Sequence, residues 1–213
     1  MFLPLIEKCE SAGSNKKTTI IKKNLEEMFE ERRSTLMILP SISRQVLSMA
    51  QSLPGCLLAG GAALELYTGD INKIKDWDLF FARSEGYKEA QHKLKGLGFV
   101  GTDRSEWSWT MEKSGVVVQL ITRFYTSSPA DLFNRFDFSV CCFAVKGPDI
   151  YYTEQAAEDV ELKRLTYIYT DNIISSIKRV ARYGHKGYMP TTQCVIDLLK
   201  QCKFIPEDGP GCS

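Results

Sequence analysis

Leu57-Leu58-Ala59-Gly60-Gly61-Ala62-Ala63-Leu64-Glu65-Leu66-Tyr67-Thr68-Gly69, followed shortly by Asp76-Trp77-Asp78-Leu79-Phe80-Phe81, carries the strongest structural signal in the chain. It runs from the end of an apolar strand through a glycine turn and one short helix to a second strand that carries two acids. Residues two apart on a strand face the same way, so Asp76 and Asp78 are expected side by side, with Trp77 and Leu79 turned to the other face. Two neighbouring carboxylates repel unless a cation lies between them. Mg²⁺ (or Mn²⁺), with phosphate oxygens completing an octahedron, suits an all-oxygen donor set. The glycines let backbone N–H groups approach an anion, and the following helix N-terminus favours negative charge.

A glycine pair opening a helix, then an acid-x-acid strand, resembles the signature of the nucleotidyltransferase superfamily that shares the DNA polymerase β fold. The resemblance implies a polymerase β-like core with Asp76 and Asp78 as catalytic metal ligands and a nucleoside triphosphate admitted over Gly60 and Gly61. Members of that superfamily carry a third acid on the next long strand. Here that strand is Val116-Val117-Val118-Gln119-Leu120-Ile121, whose central polar residue, Gln119, cannot take a proton. Asp137, in Arg135-Phe136-Asp137-Phe138-Ser139-Val140, begins another apolar run and is the candidate substitute; its other reading is a helix terminator.

The segment Ser175-Ser176-Ile177-Lys178-Arg179-Val180-Ala181-Arg182-Tyr183-Gly184-His185-Lys186-Gly187-Tyr188, preceded by Leu162-Lys163-Arg164-Leu165, is a basic helix whose spacing puts Lys178, Arg179 and Arg182 on one flank. It resembles the helical segment after the catalytic sheet in small nucleotidyltransferase-like proteins of phages and bacteria. By that resemblance Lys178, Arg179, Arg182 and Tyr183 join Gly60 and Gly61 as nucleotide-binding candidates. The alternative is a solvated basic face.

Composition is compatible with this reading without selecting it. The 213 residues suffice for one sizeable domain, and 44% hydrophobic content allows a real core. A net charge of +1 excludes a protein that coats nucleic acid through a global field. Cys9, Cys56, Cys141, Cys142, Cys194, Cys202 and Cys212 include no CxxC pair and do not interleave with His92 and His185, which argues against zinc. The odd cysteine count, the absence of a signal-like start and the lack of a membrane-length apolar run lead to the expectation of a cytoplasmic protein with no membrane association. Neither G-x-x-x-x-G-K-[ST] nor G-x-G-x-x-G occurs, so kinase-like and dinucleotide-dependent chemistry have no handle.

The expected architecture is α/β (α+β), a mixed sheet flanked by helices. Residues 1–35 read as a charged helical extension, 36–152 as the nucleotidyltransferase-like core, 153–205 as a helical C-terminal segment and 206–213 as a disordered tail. Helices are expected over 24–33, 43–52, 86–95 and 129–136, and strands over 55–59, 106–112, 116–121, 138–145 and 150–152. Trp107, Trp109 and Met111 read as one buried face of the 106–112 strand, and His92 as a surface residue. The function expected is Mg²⁺-dependent transfer of a nucleoside monophosphate from an NTP to a hydroxyl of RNA, protein or a small molecule. The alternative is an inactive nucleotidyltransferase-like fold serving as a binding or structural subunit.

Overall fold

The computed structural model describes residues 5–8, 18–32 and 38–202. Nine strands form one twisted sheet: β1 (Leu5–Lys8), β2 (Thr19–Asn24), β3 (Cys56–Ala59), β4 (Asp76–Phe81), β5 (Val100–Arg104), β6 (Ser108–Lys113), β7 (Val116–Ile121), β8 (Phe143–Lys146) and β9 (Asp149–Thr153). Their order is β1-β2-β9-β8-β3-β4-β7-β6-β5, and β4 with β7 is the one parallel pair in it. The helices are α1 (Leu25–Glu31), α2 (Ser41–Ser52), α3 (Gly61–Thr68), α4 (Ser84–Gly96), α5 (Pro129–Phe133), α6 (Glu154–Glu161), α7 (Ile173–Gly184) and α8 (Thr192–Cys202). A short parallel ladder joins β10 (Arg164–Leu165) to β11 (Met189–Pro190). The mixed α/β class expected from the sequence is the one observed.

Period-two alternation builds the two layers of core. On β4, Trp77 and Leu79 face α2 and α4 and pack with Leu58, Met111, Val118, Val46 and Leu94. Leu57, Ala59 and Phe80 turn the other way, against α3, α5 and α6, with Leu64, Leu132, Phe133 and Ala156. Asp76 and Asp78 lie on this second face, opposite Trp77 as the spacing requires. Trp77 is 2% exposed. Trp77→Ala therefore leaves a large void and is expected to cost about 3–5 kcal/mol in urea unfolding.

The structure departs from three expectations and adds one strand to those expected. Lys22-Lys23, read as part of a charged extension, lies on β2, which pairs with β9 and carries the sheet outward to β1. Only Ile20 of that strand is buried, so its sequence has no apolar alternation to announce it. The run 138–145 is not one strand: Ser139–Cys141 forms a 3-10 turn and β8 starts at Phe143. Uniformly apolar runs carry no period, and here Asp159, fully buried on α6, takes a hydrogen bond from the Ser139 hydroxyl and bends the chain. Trp107 is not part of the buried face of β6; it sits in the turn before it, half exposed, with Arg123 over its ring. β5, exposed along its length, was missed altogether. The tail 206–213 and residues 9–17 lie outside the described residues.

Candidate active site

Gly60 ends β3 with φ +71° and ψ −140°, a region that side chains other than hydrogen disfavour. That conformation turns the chain straight into α3 and lays its backbone against the acid strand. A Cβ at Gly60 would sit 3.0 Å from Asp78 Oδ2, so glycine is needed both for the turn and for the carboxylate's place. Gly61 begins α3, and a Cβ there meets nothing within 4 Å. No side chain caps this helix. The first-turn N–H groups and the positive end of the helix therefore open onto unfilled space next to the two acids.

Ala59 and Asp78 are register partners across β3 and β4, and Asp78 and Gln119 are partners across β4 and β7. Neighbours in register share a face, so Gln119 occupies the place beside Asp78 where the superfamily's third acid is expected. Burial, then the charge of Asp76, pushes the Asp78 carboxyl up to about 7, with Arg179 acting in the opposite sense. A crowded carboxylate beside a second one is a site that gains from a cation. Among the described residues no three His, Cys, Asp or Glu side chains are grouped to hold a metal ion. A divalent ion on Asp76 and Asp78 would draw its other ligands from water and phosphate oxygens, which suits Mg²⁺.

Asp137 lies in the bend before the 3-10 turn, almost fully buried, rather than at the head of a strand. Its Oδ2 accepts from Arg179 Nη1 at 2.9 Å and from the Ser176 hydroxyl at 3.1 Å, both on α7. The nearby Cys141 thiol, pushed up to about 12 chiefly by burial, lies 3.1 Å from the Tyr183 hydroxyl. Asp137 thus anchors α7, and Arg179, held by it, is the cation whose charge reaches Asp78. Asp137→Ala is expected to lower stability by about 1–3 kcal/mol in urea unfolding, because α7 loses its buried anchor on Arg179 and Ser176; the Thr170 hydroxyl, 2.8 Å from that of Ser176, and the half-exposed arginine keep the cost moderate.

The other sequence candidates separate. Lys178 and Arg182 are exposed on α7. Tyr183 packs edge-on against Phe138 and Tyr188, with its hydroxyl turned to Cys141. His92 and His185 are both exposed. Sequence reasoning missed Lys186, which reaches back from beyond α7 to pair with the buried Glu65 of α3 at 3.1 Å. A contact between residues that far apart in the chain leaves no local pattern to read. Ser176, a small polar residue within the basic segment, likewise carries no local signal of its bond to Asp137.

The sheet order, the glycine-opened helix and the paired acids define a nucleotidyltransferase fold of the polymerase β type. Solved structures agree. The CCA-adding enzyme of Thermotoga maritima complexed with tRNA shares 17% identity at a TM-score of 0.59, over 84% of this chain and 45% of that one. A CCA-adding enzyme complexed with ATP gives 16% identity and a TM-score of 0.62, over 85% and 46%. A complex with CTP gives 15% and 0.59, over 85% and 46%. This chain spans less than half the length of these structures, and the likeness establishes the fold alone. The model of the Gabija anti-defense 2 (Gad2) family matches residues 19–163, and the chain belongs to that family. A search of curated proteins finds no match. Among the described residues no helix is long and apolar enough to cross a membrane.

Proposed function

We propose that this chain transfers a nucleoside monophosphate from an NTP to a hydroxyl of RNA, protein or a small molecule, and that the transfer is its means of opposing Gabija defence. The observation that carries the reading is the juxtaposition of Asp76 and Asp78 with the uncapped, open N-terminus of α3, a cation site against an anion site. Asp76 and Asp78 would hold Mg²⁺, which when bound supplies charge neutralisation at the phosphates. The α3 N–H groups at Gly61 would receive triphosphate oxygens, and Gly60 keeps the backbone close enough for both. Arg179, set by Asp137, adds positive charge on the same side. Lys178 and Arg182, exposed on α7, would contact the nucleotide or acceptor. In-line phosphoryl chemistry needs positioning and electrostatics more than covalent participation, so few residues suffice.

Gln119 beside Asp78 favours a second reading, in which the fold binds a target without turnover. Incubation with α-³²P-labelled NTPs and Mg²⁺, with RNA and protein offered together, tests the first. Label carried by wild type and lost in Asp76→Ala/Asp78→Ala establishes transfer and shows the acceptor; no label with any of the four nucleotides from folded protein rejects it. Expression of the same variant in cells protected by Gabija separates the readings further. Relief of protection that survives the double substitution supports binding alone.

A further inference from the structure

A cavity of about 470 Å³ lies away from the carboxylates, walled by the first turn of α4, the turn between β5 and β6, and the loop after β7. We propose that it is a binding site for a nucleotide unit bearing one phosphate, its base laid against Tyr87, Trp109 and Tyr125 and its phosphate held by Lys88 and Arg104. The proposal stands apart from the transferase reading and does not rest on it.

Three aromatic side chains meet there in unlike roles. Tyr87 packs edge-on against Phe81 at 6.1 Å, which fixes one wall to the sheet. The Trp109 indole lies flat on Gly101: a Cβ at that glycine would come within 2.6 Å of its Nε1. Lys95 and Arg104 stand 5.3 and 5.8 Å from the centre of the same ring. Tyr125 is 44% exposed, a large aromatic left in solvent at the mouth. Aromatic side chains that wall a cavity suit a flat, π-rich ligand, and stacking on the exposed Tyr125 would tolerate any base.

The charge of the wall narrows the ligand. Lys88 and Arg104 are its bases and Glu106 its acid, a balance that fits one phosphate and not the charge of a triphosphate. Arg104 rests on the Trp109 ring, which leaves its guanidinium edge for a phosphate. Ser84, Ser105, Ser108 and Thr122 place hydroxyls in the wall that are already bonded to Glu85, to one another and to the Glu106 carbonyl, and whose oxygens can still accept from a sugar or a base edge. The volume falls in the usual range for small-molecule sites, about 300–1,000 Å³.

This cavity is separate from the acids. Thr126 donates its N–H to the Phe81 carbonyl, so the loop that bears Tyr125 covers the far end of β4, roughly 10 Å along the strand from Asp78 and roughly 17 Å from Asp76. Tyr87 also stands on the Trp77 side of the sheet, the face turned away from Asp76 and Asp78.

The unit has two possible sources, a free nucleoside monophosphate or one residue of a single strand. Fluorescence anisotropy of labelled 12-residue RNA and DNA strands of mixed sequence, with the four nucleoside monophosphates as competitors, distinguishes them. Wild type is expected to bind at least one of these probes. Tyr125→Ala and Lys88→Ala, both at exposed positions, are each expected to weaken binding by about tenfold, while Asp76→Asn/Asp78→Asn binds like wild type. Full displacement of a strand by a monophosphate assigns the free nucleotide, and failure to displace it assigns the strand. Absence of binding by wild type, affinity unchanged in Tyr125→Ala/Lys88→Ala, or affinity lost in the double acid variant overturns the proposal. Circular dichroism of each variant confirms that it is folded.

Discussion

Asp78→Asn is expected to abolish nucleotidyl transfer, by a factor on the order of a thousand or more, and to make the metal-free protein more stable. Both effects have one cause. Asp78 is crowded against Gly60 and Asp76, and its carboxyl is raised from 3.8 to about 7. In the unfolded chain an aspartate ionises near pH 3.9. Below that value both states hold the proton and the group is neutral in its effect. As pH rises from about 4 to 7 the unfolded state loses its proton first, so folding is penalised progressively, and above about 7 the penalty is constant. A shift of this size corresponds to a ceiling of about 4 kcal/mol; relaxation and solvent around a carboxyl that is partly exposed reduce this to about 1–3 kcal/mol. Asparagine is nearly isosteric and carries no charge, so the penalty is absent.

Thermal unfolding in EDTA at pH 4 and pH 8 checks this. The variant and wild type should melt together at pH 4, and the variant should melt higher at pH 8. Added Mg²⁺ should raise the wild-type melting temperature and leave that of the variant much less changed, since a ligand stabilises the state that binds it. A variant that melts lower than wild type at pH 8 would show that the Asp78 carboxylate is instead satisfied by the protein around it.

Gly60→Ala and Gly61→Ala are expected to part company, although the two glycines are adjacent. At Gly60 the backbone lies where L side chains are strained, and the new methyl would press on Asp78 Oδ2. Strain of that kind costs about 1–3 kcal/mol, and displacement of the carboxylate is expected to cut kcat about a hundredfold, because positioning within fractions of an ångström carries this chemistry. Gly61 is helical and its Cβ position is open, so alanine there should be neutral or should stabilise by up to about 1 kcal/mol. The same methyl would stand in the space assigned to the triphosphate. KM for the NTP should therefore rise while stability does not fall. Urea unfolding alongside steady-state kinetics separates the two; an unchanged KM in Gly61→Ala would move the triphosphate away from the α3 N-terminus.

Family membership and fold constrain the biology in different ways. The Gabija anti-defense 2 match covers residues 19–163 and so takes in β2 to β9 of the sheet, the glycine turn and both acids, but leaves out β1 and stops short of α7 and α8. Arg179, Lys178 and Arg182 therefore belong to the part of the chain outside the matched segment. Substitution of Arg179 by Met leaves the buried Asp137 carboxylate without its counter-charge, so it is expected both to lower stability, by about 1–3 kcal/mol in urea unfolding, and to weaken NTP affinity, which isothermal titration with a nonhydrolysable NTP would read.

Amino-acid sequence alone determined the part of this protein that is local. A glycine pair, one helix and an acid-x-acid strand are contiguous, and the periods of helix and strand fix which of their side chains share a face. Asp76, Asp78 and the reversed Trp77 were legible for that reason, and so was the strand that sets Gln119 beside them. Tertiary structure decided what depends on segments far apart in the chain. It placed β2 in the sheet through pairing with β9, which no apolar alternation signals. It broke the run 138–145 because a buried Asp159 on another helix draws Ser139 out of line. It turned Asp137 toward Arg179 and Ser176, joined Glu65 to Lys186, and gathered Tyr87, Trp109 and Tyr125 around one cavity. Each of these rests on a hydrogen bond, an ion pair or a ring contact between distant segments, whose energy depends on separation in space and leaves no period in the sequence.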